Sequence, residues 1–410
     1  MSTGRRSSLI AAAAAVALLS LAPAAAAKTF EVTRTGDEIN AECTQQRCSL
    51  RDALNAANFT SGKDTVLLRS RRTYPLTLPG TSEDTGAFGD LDVLEEVTIR
   101  PDGKKPATID ARGIDRVLDT YNLAGTLKLS RLVIRGGDSA GVIGGGVLIR
   151  SGKLILDRSK VLGNVTPGNY GGGVAVYGGS EAKITRSTIA GNTGEGGGVA
   201  VGPGSSAAIV SSTIAGNEAF GNGGGIFVGL GGNAELSVEN STITANRAGS
   251  SGGGIISATN GTVSLVHTTV VRNRANLAMS GGQEGGGIAA ASNGPLAIRN
   301  SIVALNEVGT GDGADCGFPA FAVYVAPSGK NLVGDADRCG PLGTTPNLVA
   351  NPKLGPLTDN GGPTPTIALK KGSPAIDAGA RGTAADQRGV KRKRPDIGAY
   401  EYVAKKKKRR

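Results

Sequence analysis

The sequence predicts an all-β chain folded as one single-domain solenoid, a right-handed parallel β-helix with a short N-terminal capping helix. Three observations predict it. Glycine triplets begin at Gly144, Gly171, Gly196, Gly223, Gly252 and Gly285, and each is followed 20 to 23 residues later by an asparagine. Those asparagines are Asn164, Asn192, Asn217, Asn246, Asn273 and Asn306, and the spacer to the next triplet varies from 4 to 12 residues. A fixed segment alternating with an elastic one encodes stacked coils with loops on one edge. Between triplet and asparagine, short β-branched runs alternate with period two, which marks strands rather than helices. A coil-after-coil parallel connection is expected to be right-handed.

Residues 1–27 read as a signal peptide. Arg5 and Arg6 precede an apolar run from Leu9 to Leu21 that ends in small residues at Ala25 and Ala27; this is a charged region, an apolar region and a cleavage site. The run is too short for a membrane span. The paired arginines hint at twin-arginine export, and no Cys follows the cleavage site to take a lipid. The expected location is therefore secreted, extracellular or at the cell surface.

Residues 28–84 form an N-terminal cap. Within Ser49–Ala57 the apolar residues Leu50, Ala53, Leu54 and Ala57 stand at helical spacing. A short helix here acts as a lid over the first coil, whose sheet edges would otherwise invite aggregation.

Coils occupy 85–310, with regular repeats at 144–306. Val97–Arg100, Ala107–Asp110, Arg116–Thr120 and Leu127–Arg135 read as strands of earlier, irregular coils. Within the repeats, inward columns recur at fixed distances before each asparagine. Eight before stand Leu156, Ile184, Ile209, Val238, Leu265 and Ile298; five before stand Ser159, Ser187, Ser212, Ser241, Thr268 and Ser301. The asparagines suit a bend, because Asn tolerates left-handed geometry. Their amides are expected to bond from coil to coil at about 4.8 Å as a structural ladder. Catalytic, cofactor-binding and metal-binding roles are assigned to none of these residues.

Four cysteines in an exported chain predict two disulfides. Proximity favours Cys43–Cys48 and Cys316–Cys339, while three connectivities remain formally open. Residues 311–402 form a C-terminal region, and 403–410 a basic tail. The net charge is +11, or +9 once Arg5 and Arg6 leave with the signal peptide, and Lys405–Arg410 supplies six of those nine, leaving the folded body at roughly +3. The tail is a candidate contact for an anionic polymer, with a solvated terminus as the plain alternative.

Several motifs carry a resemblance. Cys48-Ser49-Leu50-Arg51-Asp52-Ala53 resembles the CSLREA motif of exported bacterial proteins, with Asp52 in place of Glu. The stretches 331–335, 354–365, 372–379, 386–389 and 396–402, including Asp386-Gln387-Arg388-Gly389 and Asp396-Ile397-Gly398-Ala399-Tyr400-Glu401-Tyr402, resemble the choice-of-anchor Q region. The middle is similar to polymorphic outer-membrane-protein repeats. The resemblance implies a secreted or surface-attached bacterial β-helix without an assigned activity. The chain departs from that pattern after Tyr402, where no apolar span follows.

Function is less legible. β-helices include glycan-cleaving enzymes, which need paired carboxylates or acidic calcium ligands with a base. The outward column seven before each asparagine reads Asp157, Thr185, Val210, Glu239, Val266, Arg299. Its two acids lie three coils apart, about 14 Å at normal strand spacing, too far for a glycosidase pair. The single histidine, His267, shares a corner column with Arg158, Arg186, Ser211, Asn240 and Asn300, and is expected to be a solvated surface residue rather than a general base. Gly309–Gly317 echoes a calcium-binding nonapeptide in single copy; a turn into Cys316 is expected, with calcium the alternative. Aromatics are 3% of the chain and Trp is absent, so any glycan recognition rests on polar ladders. The longest spacer, Arg274–Glu284, is the candidate binding loop, weighed against a tolerated surface loop. The expectation is a non-catalytic surface for adhesion or matrix and glycan contact with an extracellular polysaccharide or a neighbouring cell surface. The alternatives are a polysaccharide lyase or glycoside hydrolase on the same scaffold, and a structural spacer without a ligand.

Overall fold

The computed structural model describes residues 26–404, apart from 41, 81–83, 230, 259, 276–284, 292–293, 310–312, 319–328 and 341–346. The leader at 1–25, the basic tail at 405–410 and most of the 274–284 spacer therefore lie outside the described residues.

Among the described residues, four parallel sheets run side by side along a solenoid, with ten, eleven, nine and six strands. We call them sheets I, II, III and IV in that order. One coil shows the path. Glu181–Thr185 lies in sheet I, Thr188–Ala190 in sheet II, Thr193–Glu195 in sheet IV and Val199–Val201 in sheet III. Successive coils pair in register, as Ile184 does with Ile209 and Val174 with Val199. In-register stacking places like residues above like, so the apolar columns at Leu156, Ile184, Ile209, Val238, Leu265 and Ile298 fuse into one continuous buried core.

Corners are made by left-handed residues. Between sheets I and II these are Arg158, Arg186, Ser211, Asn240, His267 and Asn300, all with φ from 46° to 50°. Before each ladder asparagine they are Gly163, Gly191, Gly216, Ala245, Arg272 and Leu305. The bend therefore falls one residue ahead of the asparagine, which corrects the expectation that Asn itself takes the left-handed conformation. The asparagine is retained for its amide. Asn192 Nδ2 donates to Asn217 Oδ1 at 2.9 Å and to the carbonyl of Val161 at 3.1 Å, while its backbone N–H donates to the same Asn217 Oδ1 at 3.0 Å. Every polar atom of a buried amide is thereby satisfied, as burial requires.

A second ladder runs parallel to it. The Ser159 N–H donates to Ser187 Oγ, Ser187 to Ser212, and Ser212 to Ser241, each at 3.0–3.1 Å. Both ladders end on a residue of different type. Asn331 Oδ1 accepts from the Ser301 N–H at 3.1 Å. Asp315 Oδ1 accepts from the Asn306 N–H at 3.0 Å and from its Nδ2 at 2.8 Å, and Asp315 Oδ2 accepts from the Asp335 N–H at 2.7 Å. An acceptor-only side chain suits a terminus with no further amide to receive a donor. Asp315 thus closes the ladder; residues 310–312 of the 309–317 stretch lie outside the described residues.

The triplet glycines are needed for close approach. A Cβ on Gly198 would lie 2.6 Å from the Gly225 carbonyl oxygen and 2.9 Å from Asn217 Nδ2. Only the first of each triplet also takes positive φ, as at Gly196 and Gly223.

The lid helix spans Leu50–Asn58, capped by Ser49 in a reciprocal box with Asp52. Arg51 is wholly buried: Nε pairs with Asp37 Oδ1 at 2.8 Å, and its Nη atoms donate to the carbonyls of Gly86, Gly89 and Asp90 at 2.8–3.1 Å. Among the early coils, the expected strand Leu127–Arg135 divides into Thr126–Ser130 and Leu132–Arg135 around the left-handed Arg131. The expected Arg116–Thr120 shortens to Leu118–Thr120, with Arg116 drawn into ion pairs.

After Leu348–Val349 the chain leaves the stack. An antiparallel pair, Leu354–Thr358 with Thr366–Leu369, begins a segment that folds back over the outer face of sheet II. One outward column there reads Thr188, Thr213, Thr242, Thr269, and the returning segment uses its last three: Thr213 Oγ1 donates to Pro365 O at 2.7 Å, Thr242 Oγ1 to Gln387 Oε1 at 2.6 Å, and Thr269 Oγ1 accepts from the Ala399 N–H at 3.0 Å. Nearer the end of the stack the contact turns apolar, with Val271, Ile302 and Ala304 packing on Leu354, Ile367 and Ile397. The cysteines pair as Cys43–Cys48 and Cys316–Cys339. Among the described residues no helix is long and apolar enough to cross a membrane.

Candidate functional site

Sheet II is covered by the C-terminal segment, which leaves sheet I as the broad open face. A shallow basin of about 460 Å³ crosses five of its strands, from Lys153–Asp157 to Gly261–Val266. Strand alternation dictates its lining: inward residues such as Leu154 and Ala207 fill the core, and their neighbours point out. In register, one outward column reads Lys153, Glu181, Ser206, Glu235, Thr262, and the next reads Ile155, Lys183, Ala208, Ser237, Ser264. Ser206 and Ala208 are the short pair, and they leave the depression between the longer Glu181 and Lys183 on one side and Glu235 on the other. The lining is largely apolar, with the hydroxyls of Ser206, Ser237, Thr262 and Ser264 set into it and charges of both signs at the rim.

Chemistry is poorly served there. Lys153 Nζ holds Glu181 Oε2 at 2.8 Å, with both side chains exposed. Glu181 and Glu235 stand two strands apart, about 9.6 Å at normal spacing, near the upper limit for an inverting pair. General-acid carboxyls need an apolar or like-charged setting, and these two stand in open solvent with Glu181 facing a lysine. The neighbouring column behaves as its sequence predicts. Asp157 is engaged by Arg158, Arg186 and Thr185, far from Glu239.

Sequence reasoning missed an acidic cluster in the irregular coils. Asp92 and Asp119 are outward and in register at the first two strands of sheet III, and Asp84 reaches them so that ligand-capable oxygens of all three lie within 4.8 Å of one another. Asp90 and Asp115 flank them. The signal was present: where later coils carry Gly144-Gly145-Gly146, the preceding coil places Asp115-Arg116-Val117. Regular columns cannot reveal it, because these coils precede the first triplet.

This cluster already holds two cations. Arg116 Nε bridges Asp90 and Asp119, and Arg150 Nη2 bridges Asp84 and Asp119 while its guanidinium lies 5.1 Å from the Tyr121 ring centre. Asp92 and Asp119 are wholly buried. Burial pushes Asp90 up to about 8, with Arg116 opposing the rise and the other acids adding to it. A calcium ion that bridges a substrate carboxylate needs several free, accessible oxygens. Buried acids bridged by fixed guanidinium groups do not fit that role.

His267 is not a surface residue. It is wholly buried at the corner between sheets I and II, beneath the C-terminal segment. Gly382 packs on it so closely that a Cβ there would lie 2.4 Å from Nε2. The same Nε2 meets Asn300 Nδ2 at 3.1 Å, and Asn300 is bonded in turn to both polar backbone atoms of Ala380. Desolvation, with Arg392 and Arg299 nearby, lowers its pKa to about 3, so the imidazole is neutral and structural. Its burial depends on a contact with residues more than a hundred positions away, which a column alignment does not show.

The comparisons agree with this architecture. The family described as "Right handed beta helix region" matches residues 124–309. The crystal structure of the pectate lyase Pel9A is similar in fold, with a TM-score of 0.53 at 12% identity, covering 92% of this chain and 96% of that one. No curated protein matches the chain. The fold is thus a right-handed parallel β-helix closed at one end by a helical lid and clasped at the other by its own C-terminal segment.

Proposed function

We propose that this is an extracellular polysaccharide-binding protein in which the open face of sheet I takes an extended glycan chain without cleaving it. The observation that carries the reading is the basin over Ser206 and Ala208, rimmed by Lys183, Glu181 and Glu235. A long, shallow trough that sets hydroxyls and charges into a largely apolar surface matches a linear glycan, which offers both hydroxyls and apolar ring faces, better than a compact small molecule, whose sites are deep. The two disulfides support an oxidising compartment. The likeness in fold to a pectate lyase supports a polysaccharide as the ligand class.

Catalysis on the glycan is the competing reading, favoured by the convergence of Asp84, Asp92 and Asp119. The arginines lodged among those acids, and the exposed, lysine-paired setting of Glu181, weigh against it.

One experiment separates the readings. Purified protein is offered a panel of neutral and acidic polysaccharides, with binding, reducing ends and unsaturated products all measured, with and without calcium. Retention on at least one glycan without product is expected. An Ala208→Trp substitution that fills the basin should weaken that retention about tenfold. Product release at enzyme-like rates would overturn the binding reading, and unchanged retention by Ala208→Trp would move it off sheet I.

A further inference from the structure

Sheet IV stacks two arginines on adjacent coils. Its outward column reads, in register, Glu218, Arg247, Arg274, Glu307. Arg247 and Arg274 therefore stand on adjacent coils at strand spacing, about 4.8 Å. Like charges directly opposite on neighbouring strands repel. A glutamate is next in register to each arginine, and the usual remedy would be two ion pairs. Neither forms. Among the described residues no carboxylate lies within ion-pairing distance of either guanidinium, and neither makes a side-chain hydrogen bond.

Arg247 is exposed and Arg274 half-buried. Arg274 Nε is shielded from solvent and has no hydrogen-bond partner. A charged donor left unpaired against protein is costly. Two guanidinium forks one coil apart, one with an unsatisfied donor, are the geometry that a bridging oxyanion satisfies, since planar forks bind carboxylate and sulfate with two parallel hydrogen bonds.

We propose that Arg247 and Arg274 form an anion-binding site for the carboxylate or sulfate groups of an acidic polymer. The site lies on a different sheet from the basin and does not depend on it. Glu218 and Glu307 bound it at either end and limit it to the single arginine pair. An acidic chain laid along the coil axis meets repulsion one coil beyond each arginine, so the pair engages one anionic group, or two adjacent ones, of the chain.

The test uses the full chain, basic tail included, titrated calorimetrically with polygalacturonate oligomers, dextran sulfate and neutral dextran at two salt concentrations. Binding of at least one acidic probe and none of neutral dextran is expected. Arg247→Gln with Arg274→Gln should weaken it about tenfold and flatten its salt dependence. Glu218→Gln with Glu307→Gln should tighten it. The two acidic probes distinguish uronate from sulfate as the preferred group. Equal affinity of the arginine double variant and the parent chain would overturn the site, assigning any binding to the tail or to lysines elsewhere. Failure of both acidic probes would do the same, while leaving the basin on sheet I to be judged on neutral glycans.

Discussion

His267 Nε2 and Asn300 Nδ2 face each other across 3.1 Å on adjacent coils, sealed under the segment that carries Ala380 and Gly382. The neutral imidazole is what this contact admits. Arg392 and Arg299 lie close by, so a proton on His267 would add a third positive charge. Asp396 and Glu401 also line this segment, but both are already bonded to its backbone, Asp396 by the Asp377 N–H and Glu401 by the Asp396 N–H.

The first prediction is an acid-labile C-terminal end. With a folded pKa of about 3 against an unfolded value near 6.5, the unfolded chain binds the extra proton between those limits. Stability is therefore full above about pH 6.5 and falls as pH drops toward 3, by an amount on the order of 5 kcal/mol. Hydrogen exchange at 380–398 should rise first. His267→Gln should flatten this limb, and an unchanged acid profile in that variant would refute the assignment.

A second prediction has the opposite sign and sits at the opposite end. Asp90 holds its proton to about pH 8 in the fold, whereas an unfolded aspartate loses it near 4. Stability from this group is present below about pH 4 and erodes as pH rises through 8. Asp90→Asn should remove that slope, read as exchange protection at 86–93 across neutral to alkaline pH. Equal slopes in the parent and the variant would show that another group titrates.

The Asn ladder should be unforgiving in its middle. Asn217→Leu strands the Asn192 amide donors and deletes the bond to Asn246, a loss of about 3 kcal/mol in denaturant unfolding. At the ladder's end a subtler change is informative. Asp315→Asn turns an NH₂ toward either the Asn306 donors or the Asp335 N–H, so it should destabilise by about 1–2 kcal/mol despite being isosteric. Neutrality at Asp315 would mean that the terminal acceptor is not needed.

The returning segment should hinge on Gln387. Its Nε2 donates to Thr213 Oγ1 and Thr364 Oγ1 at 2.9 Å, and its Oε1 accepts from Thr242. Gln387→Ala should cost about 2–4 kcal/mol. It should also raise hydrogen exchange at 213–215 and 242–244 together, and protection lost at only one of these would show that the coils respond separately.

The repeats were legible because their forces are local and periodic. Stacked Ile189, Ile214 and Ile243 recur at one offset from Asn192, Asn217 and Asn246, and register follows from that alone. The disulfide pairs were legible from proximity. What escaped depends on contacts far apart in the chain. The seal over His267 comes from residues 380–398, and the acidic cluster gathers Asp84, Asp92 and Asp119 from two coils and a connecting turn. Asn as the left-handed residue is what the column alone suggests; the bend and the amide are neighbours, and the left-handed position falls at Gly191, Ala245 or Leu305, residues too varied to mark it in sequence. The basin on sheet I was hidden for a simpler reason. It is made by the short side chains of Ser206 and Ala208, and a column scan for charge passes over them.

The clasp on sheet II changes how such a molecule comes apart. In a bare solenoid each coil answers only to its neighbours, and the last one can peel away alone. Here one continuous stretch of chain is fastened to Thr213, Thr242 and Thr269 and packed on Ile302. Coils that would fray in sequence are bound into a single cooperative block. A protease or a pulling force at the C-terminal end must break that whole row in shear before it frees a single turn.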